Sequence, residues 1–121
     1  MMHGNNYKFT TFQQISLNSN GRPLILFGAG PIAEKSFRRL HKYELVNIVD
    51  NAQNLWGEFE LGVEIINPHI LKNCKDYFVI ICTTSFSEVA EQLEAYSLIP
   101  GEDFCVSPIL NDLQIIENCR M

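Results

Sequence analysis

The sequence predicts an α/β fold: three layers, with a doubly wound parallel sheet of about five strands between helices, and extra helices at the N- and C-terminal ends. Three observations carry this. Short apolar runs at 24–27, 45–49, 76–82 and 103–106 alternate with helical patterns. A glycine turn, Gly28-Ala29-Gly30-Pro31-Ile32-Ala33, joins the first run to the first long helical pattern. An acid, Asp50, closes the second run. Strands that alternate with helices imply parallel pairing through right-handed crossovers.

Length and charge set the frame. A chain of 121 residues is expected to form one domain, 1–121 with its core at 24–106, and to fold without metal or disulfide. The net charge of −5 and the lack of a basic stripe argue against nucleic acid as a partner. Residues 1–14 contain no apolar stretch of signal-peptide length, and the run 77–82 is far too short to span a bilayer. A cytoplasmic protein is therefore expected, with no membrane partner. Cys74, Cys82, Cys105 and Cys119 lack a C-x-x-C spacing and are read as reduced thiols. His3, His41 and His69 are far apart, so no metal site is expected.

Residues 1–8 are polar and expected to fray. Thr10 or Thr11 caps a short helix that carries Phe12 and Ile15 and ends by Asn18. The cluster Asn18-Ser19-Asn20-Gly21-Arg22-Pro23 turns the chain into the first strand.

The glycine turn comes directly after that strand, and each of its positions has a physical reason. Gly28 permits a sharp exit, Gly30 has no Cβ to hold off a phosphate, and the small Ala33 lets the helix lie close to the sheet. Pro31 suits the first helical position because its missing N–H would be unpaired anyway. The remaining N–H groups, Ile32 included, are expected to be free and to favour an anion at the positive end of the helix. The helix runs to Lys42, with Ala33, Phe37 and Leu40 on one face. Lys35, Arg38, Arg39 and Lys42 lie off that face and read as a solvated surface rather than a phosphate or partner patch.

Asp50 stands about 20 residues beyond the glycines, where a carboxylate at the end of the second strand can accept hydrogen bonds from ribose hydroxyls. Asn51 opens the next polar loop. Trp56 in that loop is expected to cover the sheet's core rather than stack on a base. Residues 62–66 read as a short strand, and Asn67-Pro68 starts a helix with Ile70 and Leu71 inward. The near-continuous apolar run 76–82 fits a central parallel strand. It ends in Thr83-Thr84-Ser85, whose hydroxyls are placed to meet a phosphate or ribose. Ser85 also forms a capping box with Glu88 for a helix that buries Val89, Ala90, Leu93 and Tyr96 and stops at Pro100-Gly101. A strand at 103–106 and a helix at 109–119, with Leu113 and Ile116 inward, complete the pattern.

Strand, G-x-G-x-x-A turn, helix, strand and acid together make the first half of a dinucleotide-binding, Rossmann-like unit. The ligand crevice of such a sheet lies outside the carboxyl ends of its strands, which puts residues 28–32 next to 83–85.

The joint pattern Phe27-Gly28-Ala29-Gly30, Val49-Asp50-Asn51, Trp56-Gly57, Gly62-Val63, Ile81-Cys82-Thr83-Thr84 and Gln92-Leu93 resembles the small Rossmann domains of bacterial surface-polysaccharide proteins. These include nucleotide-sugar dehydratase/epimerase-like proteins and sugar acetyltransferases; similar domains are attached to methyltransferases. The resemblance implies NAD or a nucleotide sugar in the crevice. Those families carry a further catalytic domain, whereas this sequence ends at Met121. It also lacks their Tyr-x-x-x-Lys pair: Tyr7, Tyr43, Tyr77 and Tyr96 are followed four residues on by Thr11, Asn47, Ile81 and Pro100.

The reading that results is a nucleotide-binding module without catalysis of its own, accessory to sugar-nucleotide metabolism. Its expected partners are a nucleotide-type small molecule and either a second copy of the chain or a partner enzyme. An oxidoreductase completed by another subunit is the first alternative and a ligand-free assembly scaffold the second. A methyltransferase remnant ranks last, because Phe27 stands where those proteins carry an acid.

Overall fold

Each parallel strand sends alternate side chains into two buried layers, and this decides the architecture. In the computed structural model, which describes residues 10–111, β1 (Leu24–Phe27) points Leu24 and Leu26 to one face and Ile25 and Phe27 to the other. β5 (Phe78–Ile81) does the same with Phe78 and Ile80 against Val79 and Ile81. Neither strand has a residue left for solvent, as expected when helices cover both faces of a parallel sheet. Burying side chains such as Phe27, Phe78 and Phe104 contributes about 2 kcal/mol each relative to exposure.

The first face is covered by α1 (Phe12–Ser19) and α2 (Pro31–Arg39), through Ile15, Ala33 and Leu40. The second is covered by α3 (Phe86–Ala95), through Val89, Ala90 and Leu93. The remaining strands are β2 (Leu45–Val49), β3 (Phe59–Glu60), β4 (Val63–Ile66) and β6 (Phe104–Val106). Their order across the sheet is β3-β4-β2-β1-β5-β6. All pairs are parallel except β3 with β4. With β3 set aside, the parallel strands lie third, second, first, fourth, fifth, which is the Rossmann order; the chain reverses direction across the sheet between β1 and β5.

The sequence reading holds for β1, β2, β5 and β6 to within a residue or two and needs several corrections elsewhere. The sheet has six strands, because β3 pairs with β4 through a two-residue turn at Leu61-Gly62, both left-handed at φ 56° and 82°. Thr11, rather than Thr10, caps α1, in a reciprocal box with Gln14. α2 ends at Arg39, short of Lys42, and buries Ser36, whose hydroxyl bonds the Ile32 carbonyl at 2.7 Å and the Ser107 hydroxyl at 2.6 Å. The Asn67-Pro68 start is correct, but it opens only one tight 3-10 turn, Pro68–Leu71, in place of a longer helix. Three residues per turn bring Leu71 into the core and leave Ile70 43% exposed. Ser85 does not form its capping box: its ψ of 39° is not extended and its side chain makes no cap bond. Tyr96 is half-buried. A helical turn begins at 108–111; the rest of the expected final helix, with Leu113, Ile116 and Cys119, and the N-terminal residues 1–9 lie outside the described residues.

At the amino ends of the strands a charged cluster ties three segments together. Asp103 accepts from Arg22 at 3.1 Å, Lys75 at 2.6 Å and the Ile99 amide at 2.9 Å. Arg22 also donates to the carbonyls of Ser19 and Asn18. Burial by itself would raise the Asp103 carboxyl; the Lys75, Ile99 and Arg22 donors outweigh it and hold the group below the usual carboxylate range. Lys35, Arg38, Arg39 and Lys42 are exposed, as expected.

Candidate functional site

The glycine turn leaves β1 with two glycines whose needs differ. Gly28 has φ +112°, and a Cβ there would lie 3.1 Å from the Cys82 carbonyl oxygen. Its amide bonds the Val49 carbonyl at 2.8 Å. Gly28 is thus required by the close approach of β1 to β5. Gly30, the N-cap of α2, has φ +130° and ψ −163°, a conformation essentially confined to glycine. A Cβ on Gly30 would meet nothing within 4 Å. The turn is therefore packed on one side and open on the other.

Two of its amides are taken, which corrects the sequence reading at Ala29 and Gly30. The Ala29 N–H donates to Asp50 Oδ2 at 2.9 Å, and the Gly30 N–H donates to Glu60 Oε2 at 2.9 Å. Asp50 is held in place: Oδ1 accepts from the Ala52 amide at 2.8 Å, and its carbonyl accepts from Trp56 Nε1 at 2.7 Å. Trp56 packs against the core of the α1/α2 face, the role expected of it. Beyond that bend, α2 has no side-chain cap and its Pro31 has no N–H; the first helical bond runs from Glu34 N–H to the Gly30 carbonyl. The helix start thus presents an electropositive end to two carboxylates.

On the α3 side of the turn lies a cleft of about 260 Å³. Phe27, Gly28, Asp50, Asn51, Thr83 and Ser85 form its floor and sides, and Glu88, Val89 and Gln92 of α3 form its far wall. It sits where the chain reverses between β1 and β5. Asn51 and Gln92 close a reciprocal amide pair across it, at 2.8 and 3.0 Å, and Gln92 also donates to the Tyr96 hydroxyl at 3.1 Å. The ion pairs among the described residues, Arg22–Asp103, Arg38–Glu34 and Lys75–Asp103, include none of Asp50, Glu60 or Glu88. Burial pushes the Cys82 thiol beside the cleft up to about 12, against the lowering effect of its hydrogen bond with Ser36.

The structure thus brings Gly28, Asp50, Asn51, Thr83 and Ser85 together around one cleft; Ala29 and Gly30 do not line it, and are tied to Asp50 and Glu60. Pro31 is exposed at the helix start and Ile32 packs between the two cores. Thr84 is exposed and outside the cleft wall, while the Thr83 hydroxyl accepts from the Ser85 amide at 3.3 Å. Sequence reasoning missed Glu60, Glu88 and Gln92. Gln92 was within the Gln92-Leu93 part of the resemblance and could have been found there. Nothing local announces Glu60, which arrives through a hairpin with a leucine at a left-handed position.

Solved structures share this architecture. A structure of RSP in complex with β-NAD+ and operator DNA superposes with a TM-score of 0.54 at 19% identity, over 82% of this chain and 56% of that one. A structure of RSP, a Rex-family repressor, gives 0.52 at 16% identity, over 90% of this chain and 68% of that one. The chain therefore spans little more than half the length of the NAD+- and DNA-bound protein. The similarity shows a Rossmann-like fold. It also overturns the expectation that excluded nucleic acid: a protein of this fold is seen with operator DNA, and a net charge of −5 describes a whole chain rather than any one surface. No helix among the described residues is long and apolar enough to cross a membrane. A search of curated proteins finds no match. Residues 21–100 match the family described as C2185-like, N-terminal, and the chain belongs to that family.

Proposed function

We propose that this chain is a nucleotide-binding module, with NAD the first choice of ligand and no catalysis of its own. The observation that supports it most is the position of the cleft at the reversal between β1 and β5, where sheets with this strand order take their ligands. Gly28, Ala29, Gly30, Pro31 and Ile32 would face the phosphates at the start of α2, with Asp50 and Asn51 near the ribose. Thr83, Thr84 and Ser85 would meet the far half of the ligand, Thr84 through a modest turn of its loop. The β-NAD+ bound by a protein of the same fold agrees with this choice.

The resemblance in sequence favours a second ligand, a nucleotide sugar, and with it a role accessory to surface-polysaccharide synthesis, as a homodimer or beside a partner enzyme. A thermal-unfolding screen with NAD, NADP, UDP-sugars, coenzyme A and S-adenosylmethionine separates these. A ligand present at a hundred times its Kd adds roughly 2.7 kcal/mol of stability. NAD should stabilise the protein, and NADP less so, because Asp50 would repel a 2′-phosphate. Stabilisation by a UDP-sugar alone would transfer the proposal to that class. No stabilisation by any of them would leave an assembly scaffold as the better account.

A further inference from the structure

We propose that Glu60 is an internal competitor for the ligand's phosphate, so that the β3–β4 hairpin acts as a strap that must release the glycine turn before a phosphate can settle there. The proposal rests on the nucleotide reading above and adds how that site is regulated.

The Gly30 amide has one hydrogen, and Glu60 Oε2 takes it at 2.9 Å. A carboxylate and a phosphate oxygen seek the same donor and the same positive helix end, and one N–H cannot serve both well. Glu60 is not a neighbour in sequence. It reaches Gly30 because the hairpin folds back over the end of β2, anchored by the Gly57 amide on the Ile65 carbonyl and by Trp56 on Asp50.

The strap rests on the α1/α2 side of the core through Leu61 and Val63, both only partly buried. β3 is two residues long, and Phe59 beside Glu60 is 70% exposed. The tip residue Leu61 carries a left-handed backbone at φ 56°. Segments with few buried contacts open at low cost. Asp50 differs: it ends a central strand and has a second bond to Ala52. Of the two carboxylates on the turn, Glu60 is the one free to leave. A dinucleotide brings enough contacts to displace it; a nucleoside without phosphate has no need to.

Calorimetric titration of the wild-type protein, Glu60→Ala and Glu60→Gln with NAD and with adenosine tests this. Loss of a charge-assisted bond from the competing side should tighten NAD binding roughly ten-fold in Glu60→Ala, and less in Glu60→Gln, whose amide oxygen still accepts. Adenosine affinity should not change. NAD binding by Glu60→Ala alone would also support the strap. If wild type binds NAD and Glu60→Ala binds it no better, or if adenosine gains as much as NAD, the competitor role is overturned and the nucleotide reading stands. If none of the three proteins binds NAD, both are overturned.

Discussion

The two ends of the sheet treat their carboxylates differently. At the amino end, Asp103 is 6% exposed and meets two cations and an amide. At the carboxyl end, Asp50 and Glu60 meet only neutral amides, at 2.8 to 2.9 Å, and among the described residues neither forms an ion pair. Removing either cation strands the buried Asp103 charge in a poorly solvating place, so the amino end is a structural tie. A carboxylate on the amide at a helix's start, as Glu60 is on Gly30, is an anion that another anion can replace. The difference separates the part that holds the fold together from the part suited to exchange.

The largest expected effect on stability falls at the carboxyl end, at the glycine packed against the end of β5. Gly28→Val should cost about 4 kcal/mol, from backbone strain at φ +112° together with overpacking against the Cys82 carbonyl 3.1 Å away, measured by denaturant unfolding. Asp103→Ala, at the amino end, comes next, at about 2 kcal/mol, because Arg22, Lys75 and the Ile99 amide lose a shared charged acceptor while the two cations keep access to water. This end should also carry a pH signature. The folded Asp103 carboxyl lies below its unfolded value, so the unfolded chain binds the extra proton. The stability it contributes is present above the ordinary carboxyl range of about 4 and is lost as pH falls through the folded value. Asp103→Asn should flatten that acid-side loss.

At the carboxyl end, away from Gly28, effects on stability should not exceed that of Asp103→Ala, and effects on binding should be larger. Gly30→Val should cost about 2 kcal/mol, since the strain at φ +130° is not joined by any atom within 4 Å. It should nevertheless abolish NAD binding, because the Cβ would stand where the phosphate approaches. Asp50→Ala should cost about 1 kcal/mol for bonds that solvent can partly replace. Its sharper effect, read by calorimetry, should be weaker NAD binding and a narrower gap between NAD and NADP. If Asp50→Ala proved as destabilising as Asp103→Ala, or Gly30→Val left binding intact, the division between the two ends would fail.

Legibility in the sequence depends on how local each signal is. The alternation of Leu24, Ile25, Leu26 and Phe27, the glycine spacing and Asp50 are read within a few residues, and they placed the sheet, the turn and most of the cleft. The β3 strand was not legible: it is two residues long, too short for a period to show, and its turn begins with Leu61, not a residue that favours a left-handed backbone. Glu60 was hidden for the same reason, since only that hairpin brings it to Gly30. Ser85 misled because S-x-x-E is a cap only when the serine backbone is extended, and the turn after β5 is not. The burial of Ser36 has no local signal, since its partner Ser107 lies far along the sequence.

The division between the two ends is best tested by recording backbone amide resonances of the labelled protein as NAD is added. The largest changes should fall on Ala29, Gly30, Asp50, Asn51 and Thr83, with Arg22, Lys75 and Asp103 unmoved. Changes centred on the amino end, or none at the glycine turn under saturating NAD, would show that the site for exchange is not where these carboxylates place it.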